Sequence, residues 1–249
     1  MPTQCVGKEY TFHMGAIVPA ILPKTREELT DKLARLRGLT HDVQIDVIDG
    51  RYASPASWPY AYTEEDANED ELPYLGSFNF EFDLMVADPS TVAGAWIDHG
   101  VTRITIHAES AHNLPALLTK LQVTYGHDKG FAPGLLSIGL AVGLETDLAL
   151  IEPHISQADY VQFMGIRTIG RQGEPFDNRI VRKIAAFRKQ HADTPIQVDG
   201  GVNLTTAPVL LDAGVSRLVI GSGLWKAPNL EEELNKYKAL AEEYGIYER

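Results

Sequence analysis

Ile196-Gln197-Val198-Asp199-Gly200-Gly201-Val202-Asn203 reads as a short buried strand that ends in an acid and two consecutive glycines. β-Branched Ile196 and Val198, set between Pro195 and Gly200-Gly201, give the strand signal. In a chain that alternates strands and helices, a carboxylate at the carboxyl end of a strand projects into the face where active sites are built. Asp199 is therefore the first catalytic candidate. The glycines allow backbone N–H groups to approach an anion, and Asn203-Leu204-Thr205 leads into an apolar helix whose amino end favours negative charge. A tight turn with an Asx cap is the plain structural alternative.

The same strand-then-helix unit recurs along the chain. Ala16 to Leu22 reads as a strand, and the capping-box pattern Thr25-Arg26-Glu27-Glu28 then opens a helix with Leu29, Leu33 and Leu36 on one face and Gly38 as its stop. Further strands are expected at Val43 to Val47, Asn79 to Val86, Arg103 to His107, Ser137 to Val142, Tyr160 to Met164 and Arg217 to Ile220. Between them, Pro89 opens a helix through Trp96 to Asp98. Leu114, Leu117, Leu118 and Leu121 mark another helix, as do Ile180, Ile184 and Phe187, and Asn229 caps the last. Eight strands in this alternation are the count of a (β/α)8 TIM barrel. Glycines after both of the last two strands favour it over a doubly wound open sheet, because barrels of this size commonly hold a phosphate there. Residues 1–249 are expected to form one barrel domain, with 1–13 as an amino-terminal arm and 51–77 as an irregular insertion or lid after strand two. Its acidic run, Glu64 to Glu71, reads as a solvated face.

A hydrophobic share of 44% places the chain among ordinary globular proteins. The net charge of -12 and pI near 5.1 repel polyanions, so no nucleic-acid partner is expected. A single cysteine, Cys5, rules out an internal disulfide framework and fits a reducing compartment, so a cytoplasmic location is expected. Gly15 to Leu22, with Pro19 inside, is too short to span a membrane and lacks a basic flank, so no membrane partner is expected.

Several pieces, in order and spacing, carry a likeness to a known family: VPAIL at Val18 to Leu22, IDVIDG at Ile45 to Gly50, DLMV at Asp83 to Val86, the strand from Ile104 through His107 to Ser110, VDGGVN at Val198 to Asn203 and IGSGLW at Ile220 to Trp225. The chain resembles ribulose-phosphate 3-epimerase from about Ile17 to Trp225. The resemblance implies a ribulose-phosphate-binding barrel that moves a proton at C3 of a ketose phosphate through an enediolate, with Asp46 and Asp199 as the two acid/bases. Such chemistry needs one carboxylate that removes a carbon-bound proton and one carboxylic acid that returns it. The resemblance also implies a phosphate held by Gly200, Gly201, Gly221 and Ser222, a substrate contact at Met85, a turn supported by Asp49, a sugar-phosphate partner and a homo-oligomer.

The metal site departs from the family pattern. Two histidines and the two aspartates hold a divalent metal in that family, but Gln44 and Asp83 stand at the histidine positions, and Ala20 replaces a hydroxyl residue. The remaining set, Gln44, Asp46, Asp83 and Asp199, is oxygen-only and suits Mg²⁺, Mn²⁺ or another hard cation rather than zinc. Without a cation, one carboxylate of the three must be protonated, so a metal-free protein stays open. His107 reads as a packed or hydrogen-bonded histidine. In the loop after strand six, Arg167 and Arg171 stand where the family has glycine-rich sequence, and either suits a phosphate clamp or a surface salt bridge. Three functions follow: an epimerase, a non-catalytic barrel that binds a phosphorylated ligand, and the related decarboxylase and aldol-type barrels. The last need an Asp-x-Lys-x-x-Asp motif, and Phe82 to Val86 has no lysine.

Overall fold

The computed structural model describes residues 16–61, 72–125 and 136–246, so the expected arm and the acidic run lie outside the described residues. Eight parallel strands pair in sequence order: β1 (Ile17–Ile21), β2 (Asp42–Ile48), β3 (Asn79–Met85), β4 (Arg103–His107), β5 (Ser137–Val142), β6 (Tyr160–Met164), β7 (Ile196–Asp199) and β8 (Arg217–Ile220). β8 also pairs with β1, closing a (β/α)8 TIM barrel. The helices are α1 (Arg26–Leu36), α2 (Ala93–Asp98), α3 (Leu114–Tyr125), α4 (Arg179–Gln190), α5 (Ala207–Asp212), α6 (Ser222–Trp225) and α7 (Leu230–Glu243). Short 3₁₀ turns replace a helix between β5 and β6, and no helix is found between β2 and β3 among the described residues.

Local chemistry starts these helices where the sequence places them. Thr25 Oγ1 accepts the Glu28 N–H at 3.1 Å, and Asn229 Oδ1 accepts that of Glu232 at 3.2 Å. The helix expected from Pro89 is broken into a 3₁₀ turn and α2, because Val92 sits at φ -123°, outside the helical range. No described helix is long and apolar enough to cross a membrane.

Side-chain alternation along the strands sorts the barrel into two environments. Ile45, Val47, Phe82, Leu84, Val161, Phe163, Ile196 and Val198 point outward into one large cluster with the helices. The lumen is different: among the described residues its apolar clusters are small, Val18, Ala20 and Val219 in one and Ile48 and Met85 at its mouth in the other, where barrels usually stack branched aliphatics. At the lumen floor the Glu81 carboxylate receives Arg103 Nε at 3.0 Å and Arg217 Nη2 at 3.1 Å, and Arg217 Nη1 reaches Asp42 at 3.4 Å. The Arg103 guanidinium lies 3.5 Å over the Tyr160 ring. Burial alone would raise the Glu81 pKa, but the two guanidinium groups outweigh it and hold Glu81 below the usual carboxylate range. Gly139 makes this floor possible, since a Cβ there would collide with the Tyr160 ring.

Candidate active site

Strand register brings acids from three distant parts of the chain to one level above this floor. Asp46 pairs with Asp83 across β2 and β3, and Asp199 ends β7 beside Met164. One carboxylate oxygen from each of Asp46, Asp83 and Asp199 lies within 4.8 Å of the others, and all three residues are buried. A single ion could bridge oxygens at that spacing.

The acids are not bare. Gln44, two residues before Asp46 and so on the same side of β2, donates from Nε2 to Asp46 Oδ1 at 2.9 Å and to Asp199 Oδ2 at 2.8 Å. Asp83 meets His107 Nε2 at 3.0 Å on one oxygen and receives Gln162 Nε2 at 3.0 Å on the other. Burial, reinforced by the charges of Asp199 and Asp83, pushes the Asp46 pKa well above its ordinary value. Burial and the charge of Asp83 push Asp199 up to about 7. Burial would lower the His107 pKa, but the adjacent Asp83 reverses the direction and favours the imidazolium. Asp46 and Asp199 are thus two acids near one another that resist ionising together, which is the condition for one to act as base while the other holds a proton.

Above them lies a cleft open to solvent, with Asp46, Met85, Met164 and Asp199 at its base and Gly200, Gly201, Gly221 and Ser222 at one side. Gly201 adopts φ 70°, and a Cβ there would fall 2.7 Å from Phe176 Cα, so no other residue fits. Arg171 lines the same cleft, with Nε 3.4 Å from the Ser54 carbonyl oxygen. Arg167 stands apart: it is 72% exposed, sits 4.0 Å from Asp177 and does not line the cleft. Asp49 accepts backbone N–H groups of Arg51, Tyr52 and Ala87 at 2.8–2.9 Å, holding the turn around Gly50.

Gln162 and Gln197 were not singled out from the sequence, yet both are wholly buried beneath the acids. A signal existed: each is an amide in an otherwise apolar strand, two residues before a residue of the cleft base, Met164 and Asp199 respectively. Tyr52 was also missed; its hydroxyl is 3.5 Å from His107 Nδ1, and nothing local in the sequence announces that contact.

Comparison with known proteins agrees with this geometry. The pattern of the ribulose-phosphate 3 epimerase family matches residues 16–225. Ribulose-phosphate 3-epimerase of Aquifex aeolicus is 23% identical over 211 residues, covering 83% of this chain and 87% of that protein. The Bacillus subtilis enzyme is 24% identical over 231 residues, covering 90% and 99%. Among solved structures, KGPDC from Streptococcus mutans superposes with a TM-score of 0.67 at 13% identity, covering 94% of this chain and 100% of that one, a likeness of fold. With well over half of its length matched and a closed eight-stranded barrel beneath the match, this chain belongs to the ribulose-phosphate 3-epimerase family.

Proposed function

We propose that this protein epimerises a ketose phosphate by proton transfer at C3, with Asp46 and Asp199 as the acid/base pair. The observation that carries the reading is the pair itself: two buried carboxylates, both held above their ordinary pKa, hydrogen-bonded to one Gln44 amide at the base of a cleft. In this reading the ionised member takes the C3 proton from one face of the sugar, and its electron pair passes into the enediolate. The protonated member returns a proton from the opposite face, and the two exchange roles in the reverse direction. Met85 packs against the sugar, and Gly201, Gly221, Ser222 and Arg171 receive the phosphate. Gly200, which lines the same side, belongs with them. Arg167 is left with a surface role.

Ribulose-phosphate 3-epimerases are generally metal-dependent, and the acid spacing here is compatible with an ion. The donor set is not. Gln44 presents N–H, not oxygen, to Asp46 and Asp199, and both oxygens of Asp83 face the nitrogens of His107 and Gln162. No step above is therefore assigned to a cation.

The reading is tested by incubating the protein with ribulose 5-phosphate in D₂O and following C3 deuteration by NMR. Exchange should occur, and Asp46→Asn and Asp199→Asn should each reduce it by about 100- to 10,000-fold, because an amide keeps the shape but cannot accept a proton. If ribulose, xylulose and allulose phosphates all bind and none is deuterated with or without added metal, the protein is a sugar-phosphate binder and the epimerase reading is wrong.

A further inference from the structure

We infer that the Gln44 carboxamide, oriented from below by Gln197, takes the place of a cation between Asp46 and Asp199, so that the acid pair operates without a metal. The inference rests on the epimerase reading for its chemical role and on the direction of hydrogen bonds for its substance. The direction is set at the lumen floor. Glu81, held between Arg103 and Arg217, is an ionised acceptor. Gln197 turns its NH₂ to Glu81 and its oxygen to Arg103 Nη2 at 3.4 Å, so the two ends of this amide are distinguished by charge.

The next layer inherits that orientation. Gln197 has two N–H groups for three acceptors: one goes to Glu81, and the other is shared between Gln162 Oε1 at 2.7 Å and, more weakly, Gln44 Oε1 at 3.4 Å. With their oxygens facing the Gln197 NH₂, Gln162 and Gln44 turn their own NH₂ groups upward, the first to Asp83 and the second to Asp46 and Asp199, whose bonds at 2.9 and 2.8 Å are the shorter ones on Gln44. All three glutamines are 0% exposed, so water does not compete for these bonds. Rotating Gln44 to offer oxygen to a cation would break both bonds to the acids and turn its NH₂ against that of Gln197, a donor facing a donor. The chain from Glu81 through Gln197 to Gln44 therefore delivers N–H groups to the place where the acids converge. Gln44 bridges the acid pair directly; Gln162 and Gln197 are positioning residues.

The test is a Mn²⁺ titration of the chelator-treated, full-length protein, followed by electron paramagnetic resonance. It is paired with ¹H–¹⁵N spectra of the side-chain amides, in which the Gln44 signal is identified by its loss in Gln44→Glu. The wild type should show no saturable site tighter than about millimolar, the weak end of protein sites for hard cations. Its Gln44 NH₂ should resist solvent exchange. Gln44→Glu replaces the N–H bridge with a fourth carboxylate and should bind Mn²⁺ about tenfold or more tightly than the wild type. One stoichiometric, micromolar ion on the wild type, lost in Asp46→Asn, would overturn the inference, as would a Gln44 NH₂ that exchanges like free glutamine. The wild-type measurements stand even if Gln44→Glu does not fold. Deuteration that survives the chelator supports the bridge, and deuteration that strictly requires added metal refutes it. If no substrate is deuterated under any condition, the epimerase reading fails, while the titration and the amide spectra still decide whether Gln44 holds the site in place of an ion.

Discussion

Replacing Asp199 with asparagine should stabilise the protein at alkaline pH, and the size of the effect follows from its surroundings. Burial and Asp83 raise the Asp199 pKa from 3.8 to about 7 in the folded protein. At about 1.4 kcal/mol per pH unit, this difference amounts to roughly 4 kcal/mol. The sign follows from proton binding: between about pH 4 and pH 7 the folded state holds a proton that the unfolded state has released. The contribution of Asp199 is thus fully present below about pH 4, is lost as pH rises through about 7, and is flat above. Asparagine keeps the shape and can accept the Gln44 N–H now given to Oδ2 at 2.8 Å. It forfeits the carboxylate's second hydrogen-bonding oxygen, a loss of roughly 1–2 kcal/mol. The variant should therefore be more stable than the wild type by about 2–3 kcal/mol at pH 8 and slightly less stable at pH 4, with urea unfolding across this range as the assay. Removing the Asp199 charge also relieves Asp46, so the crossing will be broad. A variant less stable than the wild type at pH 8, with a difference that does not change with pH, would refute the reasoning, because it would mean that Asp199 is ionised and well partnered in the folded protein.

Arg171→Ala should weaken inorganic phosphate binding about tenfold, the loss of one charge-assisted contact, whereas Arg167→Ala should leave it unchanged; calorimetric titration separates the two. Gly201→Ala forces a Cβ to 2.7 Å from Phe176 Cα at a positive φ, so it should cost about 1–3 kcal/mol in urea and reduce phosphate affinity as the turn shifts. Tyr160→Phe removes a hydroxyl 2.6 Å from Thr105 Oγ1 and 3.4 Å from Glu81 Oε1; a loss of about 1 kcal/mol of unfolding free energy by urea titration is expected, with the rate of C3 deuteration unaffected.

The fold was legible because each of its signals is local. The Thr25 box, the Asn229 cap and the strand ending in Asp199 all act within a few residues of themselves, and each element formed where those signals stand. The helix at Pro89 broke because one β-branched residue, Val92, left the helical range, a choice too fine for periodicity to resolve. In the site, Asp199 could be picked out because a strand-end carboxylate faces the cleft whatever surrounds it, and Asp46 through the family resemblance of the stretch Ile45 to Gly50. Gln44 shows the opposite case. Its residue type suggested an oxygen ligand, but which end of the amide faces the acids depends on Gln197, 153 residues away, and through it on Glu81. Gln197 sits two residues before Asp199, as Gln44 sits two before Asp46 and Glu81 two before Asp83, so strand alternation alone places all three in the lumen. What alternation cannot supply is the direction of the protons among them. That direction exists only once β8 closes on β1 and sets Arg217 beside Glu81. The acids that would move the proton are a property of individual strands, while the protonation states that let them do so belong to the closed barrel.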